Sequence, residues 1–107
     1  MKLLIVNLFA IAALAPPAAQ MFTGTITDSM CANADHSSMR MGPTDGECAV
    51  ACVEEHDATF VLYDGKETYA LSDQRTLAKF AGRRVRVRGT LDARTRTIQV
   101  DSMATTK

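Results

Sequence analysis

Large apolar residues recur along this chain in three rhythms, and each rhythm predicts a different element. Over residues 3–14 they run almost unbroken behind the single charge of Lys2. Over residues 22–27, and again over 59–103, they alternate with polar or small residues, which is the period of a half-buried strand. Over residues 47–56 they fall on one side of a helix.

Taken in order, residues 22–27 (Phe-Thr-Gly-Thr-Ile-Thr) predict a first strand that ends at Asp28-Ser29. Residues 32–46 have no period and many turn formers, so they predict a loop, with Thr44 or Asp45 capping the helix that follows. Residues 59–63 and 67–71 predict two strands joined at Asp64-Gly65, a strong short hairpin signal. Ser72 or Asp73 is expected to cap a short helix over 74–80, which Gly82 stops. Residues 84–91 and 97–103 alternate cleanly and give the last two strands, with a frayed tail over 104–107. Five strands with a helix between the third and fourth are the order of an OB-fold barrel. The chain is therefore expected to be mainly β, with a helical insert over residues 29–58 after strand 1. Phe22 and Ile26, Phe60 and Leu62, Tyr69 and Leu71, Val85 and Val87, and Ile98 and Val100 are its expected inner face.

The apolar start changes the picture of the whole. It is shorter than the roughly 20 residues that span a bilayer, and small residues and prolines follow it. That is the layout of a signal peptide over residues 1–20, cut after Ala19 or Gln20. Residues 21–107 then form one domain, periplasmic or secreted, with no membrane attachment once the signal is gone. About 87 residues make a core that is marginal by itself, so a disulfide or a metal is a reasonable supplement. Twelve acids balance twelve bases, which argues against a general polyanion binder.

All three cysteines and both histidines fall between Cys31 and His56. Cys31 and His36 sit at the strand end and loop, while Cys48, Cys52 and His56 recur every four residues along the helix. Cys31, His36, Cys48 and Cys52 form a Cys₃His set suited to tetrahedral zinc. Met30, Met39 and Met41 flank the same loop and would favour copper(I), the second choice. His56 is placed on the surface. The alternative is a metal-free domain stapled by one disulfide, from Cys31 to Cys48 or Cys52, with one thiol left over. A Cys48–Cys52 bridge within one helical turn would be strained. Covalent c-type haem is excluded because no Cys-x-x-Cys-His is present.

Arg84, Arg86 and Arg88 form an outward row on the fourth predicted strand. Nucleic acid is not expected on it, since stacking aromatics are missing. No nucleophile elbow or orienting carboxylate accompanies Ser29, Ser37 or Ser38, and no catalytic residue is assigned. Asp28-Ser29-Met30-Cys31, Cys48-Ala49-Val50-Ala51-Cys52, Asp64-Gly65 with Tyr69-Ala70-Leu71, and the run from Gly82 to Gly89 resemble a group of small exported bacterial domains of unknown function. A histidine between the first two cysteines is common in that group, often nearer the second, whereas His36 lies nearer the first. The resemblance implies an OB-like barrel and a joint role for the three cysteines, and it supplies no activity. The expected function is an exported, non-enzymatic module that binds a metal ion; another protein is a further candidate partner.

Overall fold

A computed structural model describes residues 18–106 of the chain. Residues 1–17 of the expected signal peptide lie outside the described residues. Among the described residues there are five strands: β1 (Gln20–Asp28), β2 (Phe60–Tyr63), β3 (Thr68–Leu71), β4 (Arg84–Asp92) and β5 (Thr97–Thr105). They are joined in the order β1-β2-β3-β5-β4, and β4 pairs back onto β1, so the sheet closes in a ring. Every pairing is antiparallel except β3 with β5. Closure leaves no long free edge on which another strand could template.

The long first strand makes closure work. Residues 25–28 pair with β2, and residues 20–25 pair with β4. Gly24 sits where the strand passes from one neighbour to the other. A Cβ there would collide with the Tyr63 carbonyl oxygen, so any side chain would force the two strands apart. Inside the ring, Ile26, Leu62, Val85, Val87 and Ile98 are fully buried, with Phe60 and Leu71 nearly so. Phe22, Tyr69 and Val100 pack against this core but stay half-buried.

Two expectations need correction. The predicted helix over 74–80 is only a 3₁₀ turn, Leu77–Phe80, and neither Ser72 nor Asp73 caps it. Gln74 is diverted instead: its side chain accepts from Phe60 N (2.8 Å) and donates to Phe60 O (2.9 Å) and Leu71 O (3.2 Å). Ser72 is also diverted, its hydroxyl accepting from Val100 N at 2.9 Å. The tail does not fray where expected, because Ala104 and Thr105 pair with Arg86 and Val85 of β4.

The helix of the insert, α1 (Asp45–His56), begins at Thr44, whose side chain accepts from Glu47 N. It ends at Asp57 in the left-handed conformation. One face buries Cys48, Ala49 and Cys52, and Ala49 joins the core of the ring. Ser29 and Thr59 close the base of the insert: Ser29 N donates to Thr59 O at 2.8 Å, and Thr59 N to the Ser29 hydroxyl at 3.0 Å. Thr68 of β3 donates its hydroxyl proton to Ala32 O and pins the loop to the sheet.

Candidate metal centre

The end of β1 shapes this site. Asp28 is the N-cap of a short 3₁₀ turn, Ser29–Cys31, and its Oδ1 accepts from Met30 N (2.9 Å) and Cys31 N (3.0 Å). Those two bonds fix the carboxylate and bring the Cys31 side chain round beside it. The second oxygen, Oδ2, has no hydrogen-bond partner among the described residues, although Asp28 is fully buried.

His36 arrives from the loop. Asn33 and Asp35 accept from the backbone N–H groups two residues on, and Ala34 takes a left-handed φ of 64°. This series of turns folds the chain back so that the His36 ring, only 3 % exposed, lies under the end of β1. Thr27 then selects the tautomer. Its single hydroxyl proton goes to Cys31 O at 2.9 Å, so at 3.3 Å from His36 Nε2 it can only accept. In the neutral ring Nε2 therefore holds the proton, and Nδ1 is left with a bare lone pair.

That lone pair faces Asp28 Oδ2 at 3.9 Å, and Nδ1 too is buried without a partner. Two electron-rich atoms thus confront each other out of water, an arrangement that a shared cation would relieve. A proton on Nδ1 would not bridge the gap, because 3.9 Å exceeds hydrogen-bonding distance. A cation would: two ligands about 2.0–2.1 Å from tetrahedral zinc stand roughly 3.3 Å apart, which needs only a small contraction. Ligand atoms of Asp28, Cys31 and His36 all lie within 4.8 Å of one another.

The helical cysteines border this trio. Cys48 and Cys52 are both fully buried, and no cysteine is bonded to another. Burial pushes the Cys52 thiol up to about 11, and the charges of Asp28, Cys48 and Cys31 push in the same direction. Burial also raises Cys31, with Asp28 and then Cys48 adding to it. All three sulfurs and the carboxylate thus sit in one another's field. A neighbouring cation would invert that effect and favour the thiolates. Cys48 Sγ has a second engagement: it accepts from Met41 N (3.2 Å) and donates to Met39 O (3.3 Å), clasping the loop against α1.

Of the residues expected from the sequence, Cys31 and His36 meet, and Cys48 and Cys52 lie alongside. His56 is exposed at the end of α1. Met30 and Met39 are 46 % and 39 % exposed, whereas Cys31, His36, Cys48 and Cys52 are buried. Asp28 and Thr27 were not anticipated as parts of the site. The only sequence signal for Asp28 is its place three residues before Cys31, where it reads equally as a turn cap.

One family model, described as a protein of unknown function (DUF5818), matches residues 52–106. Those residues take in β2 to β5 and Cys52, and leave out Asp28, Cys31, His36 and Cys48. No curated protein and no solved structure matches the chain.

Proposed function

The chain belongs to that family, whose description carries no activity, and from the chemistry of the site itself we propose that the protein is a metal-binding module holding one transition-metal ion, zinc before copper. The observation that carries the proposal is the buried, unpartnered pair of Asp28 Oδ2 and His36 Nδ1 with the Cys31 sulfur beside it. Asp28, Cys31, His36 and Cys52 would supply the ligands, while Cys48 clasps the loop. A carboxylate in place of thioethers shifts the preference from copper(I) towards a borderline divalent ion. We assign the set a holding role, with the Cys31 thiol and the His36 imidazole read as ligands rather than as nucleophile and base. We further read the ring as an OB-type barrel, because its strand order and parallel β3–β5 pair match that architecture. The apolar run before Ala19 supports export, and a cut after Ala19 would leave β1 whole from Gln20.

Zinc titration of protein purified under reducing conditions tests this reading. It should show one ion per chain, and uptake should release protons and strengthen as the pH rises from about 6 to 8, because thiols raised above their ordinary value must ionise to bind. Asp28→Asn and His36→Ala should each weaken binding by at least about tenfold. Protein carrying one disulfide, one free thiol and no affinity for zinc would replace this reading with a stapled, metal-free domain.

A further inference from the structure

A second feature lies on the wall of the ring. In β4, Val85 and Val87 are fully buried and Arg84, Arg86 and Arg88 are exposed. The register shows what shares their outer face. On β1, Thr25, Thr23 and Met21 stand opposite Arg84, Arg86 and Arg88. On β5, Ala104 and Ser102 stand opposite Arg86 and Arg88. None of these five neighbours is acidic. Asp101, in the irregularity opposite Arg88 and Gly89, forms no ion pair with the three arginines, and no other carboxylate among the described residues does so. The arginines thus make a single file of uncompensated charge roughly 13 Å long, at about 3.3 Å per residue. The protein as a whole is neutral, so its charge is sorted rather than absent, with Glu54, Glu55 and Asp57 exposed at the end of α1.

We propose that this file binds a linear acidic polysaccharide carrying carboxylate or sulfate groups. Three features of the face select that class. Guanidinium groups pair with carboxylate and sulfate through two parallel N–H donors. Thr23, Thr25 and Ser102 line the file on both sides and offer hydroxyls to the hydroxyls of a sugar chain. A single aromatic ring, Tyr63 opposite Thr25, borders the face with its hydroxyl tied to Gly65 O, so the series of stacked rings that holds single-stranded nucleic acid is missing. A bilayer would need a broad apolar contact, and Met21, 53 % exposed, is the one large apolar residue the face offers. The inference is independent of the metal.

Heparin oligosaccharide, titrated by calorimetry at several salt concentrations, is the test. Binding should weaken with salt along a log–log slope of about −2 to −3, as expected for releasing the counterions of three contacts. The triple variant Arg84→Ser, Arg86→Ser, Arg88→Ser should lose at least about tenfold in affinity. The charge-matched variant Lys66→Ser, Arg75→Ser, Arg94→Ser should stay within about twofold of the parent. Circular dichroism should show both variants folded; if the strip variant unfolds, single substitutions at Arg86 replace it and should still lose severalfold. No heparin binding by the parent, equal loss in both variants, or tighter binding to oligothymidylate or to phosphatidylglycerol vesicles would each overturn the assignment.

Discussion

At the scale of single residues, the account turns on two side chains that each do two things. Asp28 commits one oxygen to the turn that follows β1 and aims the other at His36. A carboxylate at a strand end reads from sequence as a stop or a cap, and it is a cap here; its second role depends on a histidine eight residues away, brought back by the loop. Thr27 reads from sequence as one more β-branched residue in an alternating strand. It is fully buried, and its hydroxyl links Cys31 O to the His36 ring. Thr27→Val keeps the volume and removes that link, so the ring can take either tautomer. Zinc affinity, measured by competition with a chromophoric chelator, should fall by about 10- to 100-fold, and the metal-free protein should lose about 1–3 kcal/mol because Cys31 O is left without its buried donor. Unchanged affinity would remove Thr27 from the site.

At the scale of elements, alternation and turn chemistry made the strands legible. The hairpin at Asp64-Gly65 formed as expected, with Asp64 Oδ1 accepting from Lys66 N and Glu67 N and Gly65 at a φ of 103°. Those two backbone donors hold the Asp64 carboxyl below its ordinary value. The helix α1 was legible because three cues agreed: a threonine cap, an apolar face and an end at Asp57. The short helix after β3 was misread for a physical reason. Gln74 has good helix propensity, but three backbone groups near β2 and β3 compete for its amide and win. Side-chain competition of that kind leaves no periodic trace. Gln74→Leu should therefore destabilise the protein by about 1–3 kcal/mol in urea unfolding, the cost of leaving the amide's backbone partners unmade. A change under about 0.5 kcal/mol would mean that water replaces the amide without loss.

At the scale of the molecule, a small ring of three long and two short strands carries an insert of some thirty residues on one wall. The ring was legible from five strand signals in order, and its closure depends on long-range pairings that no local window contains. The insert was legible as a loop that needed a reason to be ordered. Its reasons are now specific: the Ser29–Thr59 pair at its base, the Thr68 bond to Ala32, and the Cys48 clasp. The proposed ion would add a fourth, tying β1, the loop and α1 together at one point. X-ray absorption at the zinc edge, on protein loaded with one equivalent, measures that point directly. The account predicts four ligands, two sulfurs at about 2.3 Å and two nitrogen or oxygen atoms at about 2.0–2.1 Å, with one light ligand lost in Asp28→Asn. A shell of light atoms alone, three sulfurs, or a spectrum that Asp28→Asn leaves unchanged would contradict it.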